Sequence, residues 1–180
     1  FVMNKVFIIL ISMGIFAQDT ETQNYELVKV IDNFEIRFYP SVLKAKVTSD
    51  RNFAKLFRYI SGNNDNNEKI AMTSPVYMTS NGDENTMEFV LPSKYSIDNA
   101  SQPIDKDIEV YSTKPGYYAA IEFGGYSNSD KVKKHHKILL QKLAENGYKT
   151  VQKLPISLTY NSPYKVFNRK NEVLIQIESP

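Results

Sequence analysis

The sequence predicts an α+β protein made of duplicated ββαββ halves, residues 25–92 and 108–178, that form a distorted antiparallel β-barrel flanked by two α-helices. Three observations carry that expectation. Runs in which apolar and polar residues alternate stand on both sides of two segments with helical spacing. Thr73-Ser74-Pro75-Val76 after the first helical segment is echoed by Asn161-Ser162-Pro163-Tyr164 after the second. A polar stretch, residues 93–107, separates the two units and carries Pro103. Internal repetition sets the architecture before any single residue is interpreted. A duplicated domain also has a seam, and a seam can hold a ligand.

The elements follow in order. Asn4-Lys5, the apolar run Val6 to Phe16 and Ala17-Gln18 read as a secretory signal peptide over residues 1–17, with cleavage near Ala17. The apolar run is too short for a permanent span. Residues 18–24 are a short polar segment, and one domain is expected over residues 25–180. Tyr25 to Ile31 is a strand candidate, and Asp32-Asn33 turns into a second in which Phe34, Ile36 and Phe38 alternate with Glu35, Arg37 and Tyr39. Pro40 ends it, and Leu43 to Thr48 alternates likewise. Phe53, Leu56, Phe57 and Ile60 fall at helical spacing over residues 52–60, with Asp50 near the start and Gly62 just past the end.

Beyond the polar turn Asn63 to Asn67, strands are expected over Ile70 to Thr79 and Thr86 to Leu91, joined at Asn81-Gly82-Asp83. The pattern then restarts. Ile108 to Ser112 and Tyr117 to Phe123 flank Pro115-Gly116, and Gly124-Gly125 leads into a helix from Ser129 to Glu145. Val132, His136, Leu139, Leu140 and Leu143 share one face of that helix, and Asn146-Gly147 caps it. Ile156 to Tyr160 and Glu172 to Ile177 close the second unit.

Composition narrows the function classes. With 180 residues and 42% hydrophobic content the chain can bury one substantial core, so one domain is expected. The 22 Lys and Arg against 20 Asp and Glu leave a net charge of +2, which calls for no nucleic-acid partner. The cysteine count of zero rules out disulfides, a cysteine nucleophile and thiolate ligation of a metal or haem. Export without disulfides places stability on the core alone and the protein in the periplasm or outside the cell. No G-x-S-x-G, H-E-x-x-H or phosphate-cradling glycine loop is present, so no catalytic residue is assigned and no enzyme is expected. His135 and His136 are adjacent on a helix and point about 100° apart, which prevents them from gripping one metal. His136 lies on the apolar stripe and reads as structural, whereas His135 reads as exposed.

Tyr25 to Tyr39, Lys69-Ile70-Ala71-Met72-Thr73-Ser74-Pro75-Val76, Met87-Glu88-Phe89-Val90-Leu91-Pro92, Tyr160-Asn161-Ser162-Pro163 and Asn168-Arg169-Lys170-Asn171-Glu172-Val173, in that order, resemble the SOUL haem-binding protein family. The resemblance runs from about Tyr25 to Glu178. It implies the same distorted antiparallel β-barrel of two related halves flanked by two helices, and binding of haem or another tetrapyrrole, with no settled reaction.

In better studied members the proposed site is an apolar groove between the first helix and the loop before the last strand. Carried onto this chain, the helix supplies Phe53, Lys55, Leu56, Phe57 and Arg58, and the loop supplies Tyr164, Lys165, Val166 and Phe167. A porphyrin is a flat apolar disc with two carboxylates on one edge, so aromatic walls and a few cations suit it. Helix residues of this kind also serve as core, and surface cations are usually solvated. The histidine proposed as an iron ligand in the best known member corresponds to Phe38 here, so binding without strong histidine ligation is expected and no metal ligand is assigned; Tyr39 is an alternative oxygen, against the rule that tyrosines in strands usually pack. A monomer without a stable membrane span is expected. The alternatives are another small-molecule carrier or effector-binding module on this scaffold, and a protein-interaction module.

Overall fold

The structure, a computed structural model, describes residues 20–180. The signal peptide expected over residues 1–17 lies outside the described residues. Nine strands and two helices follow in order: β1 Glu26–Ile31, β2 Phe34–Tyr39, β3 Leu43–Thr48, α1 Asn52–Ile60, β4 Val76–Asn81, β5 Glu84–Val90, β6 Glu109–Ser112, β7 Gly116–Gly124, α2 Ser129–Glu145, β8 Ile156–Thr159 and β9 Lys170–Ile177. All strands pair antiparallel in one sheet of order β1-β2-β7-β9-β8-β4-β5-β3-β6. Its two end strands, β1 and β6, do not pair with each other, so the distorted barrel expected is a curled half-barrel.

The two Ser-Pro pairs do not occupy equivalent places in the fold. Ser74-Pro75 immediately precedes β4, whereas Ser162-Pro163 lies between β8 and β9. The proline just ahead of β8 is Pro155. Nor are residues 25–92 and 108–178 separate sheets. The first unit sends β2 to pair with β7, and the second sends β6 to pair with β3.

Both helices stop in the same way. The Asn63 N–H donates to the Arg58 carbonyl at 3.0 Å and the Tyr148 N–H to the Leu143 carbonyl at 2.9 Å, each across a glycine with positive φ, Gly62 at 115° and Gly147 at 76°. That αL turn satisfies carbonyls the helix end would leave unpaired. The α2 start is held by Asn128, whose side-chain oxygen accepts from the Lys131 N–H at 2.9 Å.

Alternation along each strand gives the sheet two faces. On one, α1 packs on β3 and β5 through Leu56, Tyr59 and Ile60, and α2 packs on β7 and β9 through Leu139 and Leu143. No helix packs chiefly on the middle strands β8 and β4, so a trough runs between the helices. The opposite face carries a smaller apolar cluster of Tyr39, Tyr77, Val90, Ala120, Leu158 and Leu174.

Candidate functional site

The α1 helix divides its apolar residues between two environments. Leu56 and Tyr59 are fully buried, whereas Phe53 and Phe57 remain 46% and 50% exposed. Those two rings stack at 5.8 Å, and Phe53 meets Phe89 of β5 edge-on at 5.7 Å. Leu56 therefore belongs to the core beneath the helix and forms no groove wall, a correction to the expectation. The sequence spacing could not separate these positions, because all three satisfy the helical stripe.

The two helix cations also differ. Lys55 is engaged by Asp105 at 3.4 Å and by Asp107, so its charge is already neutralised by the polar linker. Its hydrogen bond to Asp107 raises its pKa. The Arg58 side chain is 65% exposed and reaches only Asp105, at 3.9 Å.

The loop between β8 and β9 holds its apolar side chains outward. Tyr164, Val166 and Phe167 are 90%, 58% and 81% exposed, and Lys165 is exposed beside them. The loop backbone is tied from beneath: Arg169 Nη1 donates to the Ser162 carbonyl at 2.8 Å and to the Lys165 carbonyl at 2.6 Å, and its guanidinium lies over Tyr126.

Register relates the two segments. Phe89, which Phe53 touches, pairs with Val76, and Val76 pairs with Thr159, from which the loop departs. Two strand spacings amount to about 10 Å. Phe53 and the start of the loop are thus related through two cross-strand pairs. Of the nine predicted residues, only Phe53 lines one of the larger cavities, a shallow one bounded by Asp50, Asn52 and Met87. Phe38 stands elsewhere, on β2 against Tyr117, with β7, β9, β8 and β4 between it and β5. Tyr39 is buried and hydrogen-bonded by Arg37 at 3.1 Å, so its oxygen is already occupied.

The opposite face of the sheet holds a network that sequence reading missed. Arg37, 3% exposed, donates from Nη1 and Nη2 to the two oxygens of the fully buried Glu172 at 2.8 and 2.9 Å. The Tyr160 hydroxyl donates to the same carboxylate at 2.7 Å. Burial pushes the Glu172 carboxyl up, but Arg37, Tyr160 and Lys170 outweigh it and hold it below the usual range. Beside this network Lys44 lies 3.2 Å over the Tyr77 ring and pairs with Glu88 at 2.8 Å. Burial lowers the Lys44 pKa despite Glu88. Lys44, Glu88, Tyr111 and Tyr118 border an open cavity of about 660 Å³. A third cavity, about 450 Å³, lies between the start of α2 and strands β4 and β8. Among the described residues no group of three His, Asp or Glu converges as a metal site.

Residues 20–176 match the family described as SOUL heme-binding protein. The chain belongs to that family. The similar curated proteins include Heme-binding protein 2 of Homo sapiens, 32% identical over 136 residues, and that of Mus musculus, 31% identical over 136 residues. Each match covers 71% of this chain but only 66% of the relative, so the chain spans just under two thirds of their length. Among solved structures, the C-terminal domain of EcmrR aligns with TM-score 0.56 at 12% identity over 84% of this chain and 100% of that one. A hydrolase from Listeria innocua aligns with TM-score 0.58 at 9% identity, covering 84% of this chain and 94% of that one. At such identities these two show the fold alone. The SOUL family is a binding-protein family, and no arrangement described above assembles a nucleophile with a base.

A local signal for the missed network did exist. Glu35, Arg37 and Tyr39 form the polar register of β2, and Glu172 opens an otherwise apolar run on β9. Only the pairing of β2 and β9 to opposite sides of β7 brings these registers together.

Proposed function

We propose that this chain binds haem or a related tetrapyrrole at the end of the trough between α1 and the β8–β9 loop. One observation carries the reading: Phe53, Phe57, Tyr164, Val166 and Phe167, all large and apolar, stay 46% to 90% exposed, and two cross-strand pairs lead from Phe89, which Phe53 touches, to the strand end from which the loop departs. Monomeric proteins seldom expose contiguous apolar surface without a use for it. The Phe53–Phe57 stack offers a flat floor, the loop offers a cover, and Arg58 and Lys165 offer cations to two propionates. Lys55 takes no part, since two aspartates already hold it. Iron is bound without a histidine from β2, because Phe38 occupies that position far from α1.

Further parts of the reading are the duplication and the destination. Without β1, the strand order is symmetric about the β8–β4 pair, with β2 answering β6, β7 answering β3 and β9 answering β5. That symmetry supports two related ββαββ units that exchanged their first strands. The apolar run Val6 to Phe16, read as a signal peptide, supports export to the periplasm or the medium, and the protein is taken to act as a monomer.

Hemin titrated into the purified chain lacking residues 1–17 tests the reading. Saturable binding with a shifted Soret band, weakened about tenfold or more by Arg58→Glu with Lys165→Glu, is the expected result. Unaltered hemin spectra across the titration would sink it. A second reading, a carrier for a different small molecule, is favoured by the 660 Å³ cavity on the opposite face, whose Lys44, Glu88 and tyrosines suit a polar aromatic ligand. Binding that responds to Glu88→Gln and ignores the α1 variants would select it.

A further inference from the structure

The cavity of about 450 Å³ beside α2 has the composition of a binding site distinct from the haem surface. Its walls are apolar: Met78 from β4, Val132 from α2, and Leu154 with Pro155 ahead of β8. Two polar atoms on these walls have no partner. Ser157, only 6% exposed, leaves its Oγ without a hydrogen bond, and so does the buried Nε2 of His136. Buried polar groups are almost always paired, because leaving one unmade forfeits its hydration with no return. Ser157 makes the point sharply. It occupies the helix-bearing register of β8, opposite Val173, where an apolar side chain would cost nothing. Burial lowers the His136 pKa, so the ring facing the cavity is neutral and offers a hydrogen bond rather than a charge.

The rim has one sign of charge. Lys133 and Lys153 border the cavity, both exposed, and no acidic side chain lines it. The start of α2 at Ser129, with Ser127 and the capping Asn128 just ahead of it, adds the positive end of the helix dipole. An occupant is therefore polar at both ends: anionic where it meets the lysines, neutral and hydrogen-bonding where it meets Ser157 and His136, apolar between.

We propose that this cavity binds a small hydroxy- or oxo-carboxylate with an apolar body, its carboxylate at Lys133 and Lys153 and its neutral oxygen at Ser157 Oγ and His136 Nε2. The volume lies within the range of small-molecule sites.

Calorimetric titration with 10-hydroxydecanoate, decanoate and 1-decanol tests each end separately. The hydroxy acid binds saturably, about tenfold more tightly than either truncated compound. Ser157→Val removes the advantage of the hydroxy acid over decanoate and leaves decanoate unaffected. Lys133→Glu with Lys153→Glu weakens both acids and spares the alcohol. Met78→Trp, which fills the cavity, abolishes all binding. His136 ring resonances move on titration while those of His135 stay still. Failure of the folded wild-type chain to bind any of the three compounds overturns the assignment, as does binding that survives both Ser157→Val and Met78→Trp unchanged. Phe57→Asp, which the haem reading requires to impair hemin binding, leaves 10-hydroxydecanoate binding intact, so either reading can fail alone.

Discussion

Removing one partner of the buried Arg37–Glu172 pair should destabilise the fold more than any surface change. The Glu172 carboxylate is fully buried and accepts a bidentate guanidinium at 2.8 and 2.9 Å together with the Tyr160 hydroxyl at 2.7 Å. Glu172→Ala strands a guanidinium whose side chain is only 4% exposed. Such uncompensated burial costs about 3–5 kcal/mol. Glu35, on Arg37 Nε at 2.6 Å, still offers one carboxylate and places the loss near the lower limit. Arg37→Ala strands the carboxylate instead, with Tyr160 and Lys170 as partial relief. Both single variants should therefore lower stability by about 3 kcal/mol, which at a urea m-value of about 2 kcal/mol/M moves the midpoint down about 1.5 M. The double change to methionine removes both charges along with their desolvation cost, and should lie within about 1 kcal/mol of wild type or above it. Urea titration of the wild type, Arg37→Met, Glu172→Met and their double variant closes a double-mutant cycle. Single losses below about 1 kcal/mol, or a double variant that loses the sum of both singles, would refute the argument that pairing is what makes these charges tolerable there.

Phe57→Asp should fold normally, since the ring is half exposed, yet lose hemin affinity by tenfold or more in the same Soret titration, because the substitution removes stacking area and sets a carboxylate against propionates. Leu56→Ala should do the reverse: a loss of about 2–5 kcal/mol in urea midpoint analysis from a cavity under α1, with hemin affinity of the folded protein unchanged. The lowered pKa of Glu172 means that its stabilisation is complete above the unfolded carboxyl pKa, about 4.3, and is lost as pH falls through the lower folded value. Urea midpoints followed from pH 7 to pH 3 should therefore fall more steeply in wild type than in Glu172→Gln.

Local chemistry was legible wherever the chain decides its own conformation. The α2 limits, Ser129 to Glu145, follow from a capping Asn128, an apolar stripe through Leu139 and Leu143, and a terminal Gly147, all within one segment. The run Ile70 to Thr79 was not legible in the same way. Only Val76 onward is strand, because Ser74 spends its backbone groups on Glu21 and Gln23 of the N-terminal segment, at 2.8 Å each. No property of Ile70 to Pro75 announces that partner. Likewise the helix stripe named Phe53, Leu56 and Phe57 together, and only the packing of α1 on β3 and β5 decides which ring meets solvent. Nothing near Lys55 in the sequence announces its partners, Asp105 and Asp107, which stand some fifty residues further on.

The candidate surfaces on the helix-bearing face share a cause in the order of the sheet. Each helix covers one pair of strands, α1 over β3 and β5 and α2 over β7 and β9, and the sheet places β8 and β4 between those pairs. The middle strands therefore have no dedicated cover, and their outward residues must either be polar or meet a ligand. Near Val76 and Thr159 the β8–β9 loop departs, and Phe53 of α1 meets Phe89, the partner of Val76; near Met78 and Ser157 stand Lys133 and the neutral His136 of α2, with Lys153 ahead of β8. A flat macrocycle suits the first environment, which is broad and open. A narrow amphiphile suits the second, which is walled and ends in unpaired hydrogen-bonding atoms. The opposite face, where Arg37 and Glu172 satisfy one another, has no comparable deficit at its centre. Ligand binding on this scaffold is thus expected where the strand order withholds a helix.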